Sequence, residues 1–255
     1  MSSQKHIVFD VVGTCVSFDA FFAAIDATIG PRLRAHTITP KFFGFAWMQV
    51  AELESTQLLM SGRYTPYADV FRAVFYRVLF MAGISDPRAF ATDDERDRCH
   101  AGYSRLGLRP GCSAMMDKLR ENGFTVWCLT TGDPGRVGGY FTRAGINMPT
   151  ENLVSCFTFM AHDSNAGAGE SASLGVTKPS MGAYKPMLDR FASEDQKWFA
   201  AAHMWDVSAA VKAGFRGAYC SVLEKEPCVE IFNTKMDVTA DTFEEMTDKI
   251  IAMAS

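Results

Sequence analysis

Hydrophobic residues cluster along the chain in short, β-branched or aromatic runs bounded by turn residues. The first is HIVFDVV at 6–12, closed by Gly13-Thr14. Others are TVWCLTT at 125–131, NLVSC at 152–156, AAAHMWD at 200–206 and GAYCSVL at 217–223. Runs of this length, closed by turn signals, predict buried strands. Between them the spacing of apolar residues predicts helices over 114–122, 134–144, 181–191 and 208–213. Strands alternating with helices predict an α/β fold with a Rossmann-like, mostly parallel sheet. Residues 17–106 break the rhythm. They carry FDAFFAAID, PKFFGFAWMQVAELESTQLLM, ADVFRAVFYRVLFMAGI and DDERDRCHAGYSRL, with no strand signal among them. This predicts an all-helical lobe inserted after the first strand, with a core of 1–16 and 107–255. The Gly-, Ala- and Ser-rich stretch within 157–175 predicts a flexible loop before Lys178-Pro179.

Ligands of a parallel sheet bind at the carboxyl ends of its strands. The polar residues expected there are Asp10 and Thr14 after the first strand, and Thr130, Thr131 and Asp133 after the second. Lys178 follows the third, and His203, Trp205 and Asp206 end the fourth. Asp10 interrupts an apolar run, and a lone buried carboxylate is costly, so it must be paired or functional.

Composition narrows the function classes. The 255 residues are 48% hydrophobic and 21% charged, as in an ordinary globular protein. The net charge is −4 and no long basic run appears, which gives no reason to expect nucleic acid or an anionic membrane as partner. Seven cysteines, none in a CxxC pair, read as reduced thiols and not as a zinc site. The N-terminus MSSQKHIVFD lacks a signal-peptide pattern and no apolar segment is long enough for a bilayer. The protein is therefore expected to be cytoplasmic.

The ordered set Asp10-Val11-Val12-Gly13-Thr14, Thr130 in CLTTGD, Lys178 in VTKPSMGAY and Asp206 in HMWDVSAAVKAGFRGAY resembles the four motifs of the haloacid dehalogenase superfamily. The resemblance covers nearly the whole chain. It is nearest to the type II L-2-haloacid dehalogenases, which share the Lys-Pro with a Tyr six residues after the Lys (Tyr184), the Trp-Asp of the fourth motif, and an Arg-Tyr late in the second cap helix (Arg63-Tyr64). Phosphatases of the superfamily carry a second Asp where this chain has Val12, which can neither transfer a proton nor bind a metal. A Mg²⁺ phosphatase is thus disfavoured, and no cofactor or metal is expected.

The resemblance implies that residues 17–106 form a helical cap and that Asp10 attacks a carbon bearing a leaving group, forming an ester that water hydrolyses. Lys178 would stabilise the Asp10 anion, and Asp206 would orient Lys178 or help activate the water. Thr14 and Thr130 would hydrogen-bond the Asp10 oxygens or a substrate carboxylate. Val12, Thr131, Trp47, Met48, Tyr184, His203 and Trp205 are expected around the substrate, Tyr184 as a support from behind or as a helix residue packing on the sheet. Two positions depart from the pattern. Met48 stands where the dehalogenases place a halide-binding Arg, and Ala201 and His203 replace a Ser and an Asn. His203 could serve as a hydrogen-bond donor, as a base near neutral pH, or as a neutral buried histidine.

The leading expectation is a metal-independent hydrolase acting at carbon on a small organic acid or apolar metabolite. A non-hydrolytic isomerase or cyclase on the same scaffold, suggested by Met48, Ala201 and the aromatic helices, stays open beside it, as does a silent binding protein. The resemblance also implies a homodimer.

Overall fold

Strand Lys5–Phe9 (β1) is apolar through its last four residues because it pairs on both sides, with Phe124–Thr130 on one edge and Gln196–Ala201 on the other. The computed structural model describes residues 3–156 and 177–254. The predicted loop at 157–175 lies outside the described residues.

The elements run in chain order from β1 to β2 (Val16–Ser17) and then through α1 (Asp19–Ala35), α2 (Pro40–Met60), α3 (Tyr67–Met81), α4 (Pro87–Phe90) and α5 (Asp93–Tyr103). The short β3 (Gly107–Leu108), α6 (Cys112–Glu121), β4 (Phe124–Thr130), α7 (Pro134–Arg143) and β5 (Leu153–Ser155) follow. Then come α8 (Met181–Leu188), β6 (Gln196–Ala201), α9 (Met204–Ala213), β7 (Arg216–Cys220), α10 (Val229–Phe232), β8 (Val238–Ala240) and α11 (Phe243–Ala254). The main sheet has the order β5-β4-β1-β6-β7-β8, every pairing parallel, and β2 pairs with β3 in a separate ribbon.

The chain forms two compact units, Met1–Ser17 with Leu108–Ser255, and Phe18–Gly107. In the first, alternate residues of the sheet serve opposite faces. Val8, Leu129, Phe199 and Tyr219 belong to one cluster with Tyr184 and Met187 of α8 and Met204, Val207 and Ala210 of α9. The other face is served by Ile7, Phe9, Cys128 and Ala200, all fully buried. Connections from β1 lead to β4 on one side and those from β6 lead to β7 on the other, so the order reverses between β1 and β6. A crevice opens at such a reversal, beyond the strands' carboxyl ends.

The second unit is all helical. Its centre is aromatic: Trp47 stacks on Phe71 with ring centroids 4.5 Å apart and also meets Phe21, Phe43 and Phe75. The indole N–H donates to the Phe71 carbonyl at 2.6 Å, which satisfies the ring's one polar atom. Thr39 caps α2 by accepting from the Phe42 amide, and Thr92 with Glu95 forms a reciprocal capping box on α5. No helix among the described residues is long and apolar enough to cross a membrane.

The sequence expectations need four corrections. The fourth strand starts at Gln196 and ends at Ala201, so the run at 200–206 is only its tail; α9 begins at Met204 and not at Ser208. Met204, Val207 and Ala210, three residues apart and all buried, make one helical stripe. The strand in 217–223 stops at Cys220. β8 and α11, beyond any predicted element, add the sixth strand and a covering helix. Arg63 and Tyr64 lie past the end of α2, because Gly62 with φ +84° has already terminated the helix.

Candidate active site

Asp10 is the first residue beyond β1, and its amide still donates to Ala200 O at 3.0 Å, which continues the β1–β6 ladder to the end. The chain then turns tightly. Gly13 has φ +96°, and its amide donates to Val16 O. That turn brings Thr14 back so that its hydroxyl donates to Asp10 Oδ2 at 2.7 Å while accepting from the Ala202 amide at 2.8 Å. Arg109, on the returning chain, donates to the carbonyls of Gly13 and Thr14 at 3.0 Å and clamps the turn from behind.

Lys178 lies between two carboxylates. Its Nζ is 3.1 Å from Asp10 Oδ1 and 2.8 Å from Asp206 Oδ2, and 5.1 Å above the Phe199 ring. Asp206 sits in the first turn of α9, where the helix N-terminus favours negative charge. Its other oxygen accepts from the Tyr184 hydroxyl at 2.5 Å. His203, the N-cap residue of α9, places Nδ1 3.4 Å from Asp10 Oδ2 and packs against Trp205. The N-terminus of α9 is closed by Glu224, which accepts from the Met204 amide at 2.8 Å.

The charges balance locally. Burial pushes Asp10 up, but the Lys178 ammonium, His203 and the Thr14 hydroxyl outweigh it and hold the carboxyl well below its ordinary range. Burial pushes Lys178 down, and the two carboxylates more than reverse this, so it stays charged. Burial dominates at Asp206, whose pKa is raised in spite of Lys178. Two carboxylates share one ammonium, and of the pair Asp10 ionises first. Side-chain exposure separates their tasks: 11% at Asp10 against 2% at Lys178 and none at Asp206. Only Asp10 of the three is open to an incoming molecule. Cys15 donates its thiol to Asp10 O, and its hydrogen bond with Cys112 and its burial push its pKa up, which keeps it a protonated neighbour and not a nucleophile.

The structure thus brings together Asp10, Thr14, Lys178, Tyr184, His203 and Asp206, with Trp205 against the imidazole. His203, Trp205 and Asp206 do so from the start of a helix and not, as the sequence pattern predicts, from a strand end. Val12 is half-buried in the turn. Thr130 ends β4 and is buried, with its oxygen accepting from the Gly132 amide at 3.0 Å; Thr131 is exposed. Asp133 caps α7 by accepting from the Arg136 amide at 2.7 Å. Trp47 belongs to the aromatic centre of the helical unit, since its ring contacts and its hydrogen bond are all made there, and Met48 is buried. Arg109 and Glu224 have no counterpart in the sequence expectations. The only signals for them are an Arg just before a turn pair (Arg109 ahead of Pro110-Gly111) and an acid just past the β7 run. No group of three or more His, Cys, Asp or Glu able to hold a metal ion occurs among the described residues.

No family model and no curated protein matches the chain. Solved structures do. An L-2-haloacid dehalogenase superposes with a TM-score of 0.72 at 15% identity, over 97% of this chain and 98% of that one.

The fold is that of the L-2-haloacid dehalogenases.

The dehalogenase of Xanthobacter autotrophicus with chloropropionic acid covalently bound gives a TM-score of 0.69 at 18% identity, over 98% and 99% of the two chains. A magnesium-bound hydrolase of the wider superfamily from Bacillus subtilis gives 0.53 at 14%, over 86% and 88%. A shared fold does not by itself decide the chemistry, so the side chains around Asp10 must.

Proposed function

We propose that this protein is a metal-independent hydrolase that displaces a leaving group from carbon through an ester on Asp10, in the manner of a 2-haloacid dehalogenase. The observation that carries the reading is the Lys178 ammonium between Asp10 and Asp206, with Asp10 alone of the three open to solvent. The cation that neutralises the carboxylates is a side chain, and Val12, two residues after Asp10, offers neither a metal ligand nor a general acid for a phosphoryl group.

In the first step an Asp10 oxygen forms a bond to the substrate carbon, and the leaving group departs with the bonding pair. Lys178 on Oδ1 and Thr14 on Oδ2 stop the carboxylate from rotating and hold it ionised. In the second step water adds to the carboxyl carbon of the ester, the hydroxylated product leaves, and the Asp10 carboxylate returns. The net change is R–X plus water giving R–OH, X⁻ and a proton. Tyr184 and Asp206 fix the position of Lys178 from behind. That a similar fold is seen with chloropropionic acid covalently bound supports a covalent route and a small organic acid as substrate class.

Halide release from L-2-chloropropionate and bromoacetate tests the reading, measured with and without EDTA on the wild type and Asp10→Asn. Release that EDTA does not affect and the substitution abolishes is expected. Release that persists in a folded Asp10→Asn protein would overturn it.

A further inference from the structure

Asp206 holds Lys178 and Lys178 holds Asp10, so the place of Asp206 decides how the nucleophile is set. Asp206 lies in the first turn of α9. A carboxylate there can turn back onto the amides at its own helix start, as in a capping box. Here it does not: one oxygen is on Lys178 and the other on Tyr184. Nor does the residue at the cap position close the helix. The His203 side chain makes no capping hydrogen bond, and its Nδ1 stands 3.4 Å from Asp10 Oδ2 instead.

The cap comes from another element. Glu224, in the turn after β7, accepts from the Met204 amide at 2.8 Å. The same oxygen lies 3.4 Å from the hydroxyl of Tyr219, a fully buried residue of β7. Burial and the Glu224 carboxylate push that phenol up, so it stays protonated and able to donate. The turn carrying Glu224 is itself tied down. The Lys225 amide donates to Ser221 O at 3.1 Å, and the Ser221 hydroxyl donates to Asp241 Oδ1 at 2.7 Å. Lys225 takes φ +67°, which a residue with a side chain adopts only at a cost. The turn also reaches the loop of the nucleophile, since a Cβ on Gly13 would lie 3.1 Å from Leu223 Cδ2.

Two carboxylates thus meet the start of α9 and divide its needs. Glu224 takes an amide that helix geometry leaves without a partner, and Asp206 is left to Lys178. We infer that Glu224 is a positioning residue for the reaction: it fixes the first turn of α9 from outside, and so sets where Asp206 holds Lys178 and where Lys178 holds Asp10. This rests on the reading of Asp10 as nucleophile. Glu224 acts through α9 and not on the substrate, so what the role requires is an acceptor oxygen at the right reach.

The test measures bromide release from bromoacetate by the wild type, Glu224→Gln, Glu224→Asp and Glu224→Ala. Thr92→Ala, which removes the cap of α5, serves as the comparison. Turnover is expressed per folded molecule, from circular dichroism and thermal unfolding of each sample. Glu224→Gln keeps an oxygen at the same reach and should retain most of the wild-type kcat. Glu224→Asp keeps the charge but withdraws the oxygen by a methylene. It and Glu224→Ala should lose about 10–10²-fold in kcat with KM little changed, the scale of a misplacement of about 1 Å. Thr92→Ala should lower thermal stability and leave kcat as it is. If Glu224→Ala does not fold, the contrast between Gln and Asp decides. Wild-type kcat in Glu224→Asp overturns the assignment. So does an equal fall in Glu224→Gln, which would make the charge and not the oxygen's position the cause. A change confined to KM overturns it by placing Glu224 at the substrate, and a comparable fall in Thr92→Ala does so by showing that any lost cap slows turnover. A wild type that neither releases bromide nor gains a carboxymethyl group on Asp10 overturns the hydrolase reading itself, and this role with it.

Discussion

The crevice at the end of β1 and the centre of the helical unit are both buried, yet they are built from opposite materials. The crevice packs Asp10, Lys178, Asp206 and Tyr184 into contact, each satisfied by another. The helical unit packs Phe21, Phe43, Trp47, Phe71 and Phe75, with one indole hydrogen bond among them. Aromatic burial stabilises directly and is tolerant of charge state. A buried ion network returns little net stability and depends on every member. That such a network stands beside Asp10, the more accessible of the crevice's two carboxylates, argues that chemistry, not folding, requires it.

The contrast can be broken first at Lys178. Lys178→Met should lower turnover by about 10²–10³-fold, as loss of a key electrostatic partner does, and destabilise the fold by about 3–5 kcal/mol by stranding buried carboxylates. The pH dependence carries the signature. In the wild type the Asp10 pKa is lowered, so its contribution to stability is present above the ordinary carboxylate range and lost as pH falls through it. Lys178→Met removes the largest influence that holds that pKa down, leaving burial opposed only by His203 and Thr14, so urea denaturation from pH 4 to 7 should show Asp10's share of the slope diminished.

Trp47→Ala should cost about 3–5 kcal/mol by leaving a cavity, as large aromatic truncations do, with no such change of slope. Calorimetry at two pH values separates the two kinds of loss. Tyr184→Phe keeps the ring against Phe199 and removes one hydrogen bond to Asp206, which should cost about 1.5–3 kcal/mol. A loss near zero in that variant would show that the network does not depend on all its members.

The smallest effect is expected at His6, far along β1 from the crevice. Burial lowers its pKa against the opposing pull of Asp195, and the Trp127 indole donates to its Nδ1 at 3.3 Å. A lowered histidine pKa means stability that is present above the ordinary histidine range and lost as pH falls through it. His6→Phe should preserve the stacking on Phe191 and flatten the stability profile between about pH 7 and 5.

Much of the crevice was legible in the sequence because its residues follow apolar runs at the points where strands stop. HIVFDVVGT announces both β1 and Asp10, and Lys178 and Asp206 stand in short, recognisable settings. The fourth strand was misplaced because its polar start, Gln196-Lys197, hides the buried Trp198 and Phe199, while Ala200–Ala202 merges it with α9. The same merging put Asp206 at a strand end when it belongs to a helix N-terminus. β8 is three residues long, too short for periodicity to register. The aromatic residues of α2 carry no label of direction: Trp47 packs inward while Phe42 is 64% exposed, and only the folded helix distinguishes them. Arg109 and Glu224 act across long stretches of chain, on carbonyls near residue 13 and an amide at 204, and no local pattern encodes such partners.

The central claim is that Asp10 becomes covalently bound during turnover. Its most direct test is a single turnover of L-2-chloropropionate in H₂¹⁸O with enzyme in excess, followed by mass analysis of the peptide carrying Asp10. The account predicts that ¹⁸O enters the Asp10 carboxylate and that the lactate released carries none. Label in the lactate and none in Asp10 would mean that water attacks the substrate directly, and would contradict it.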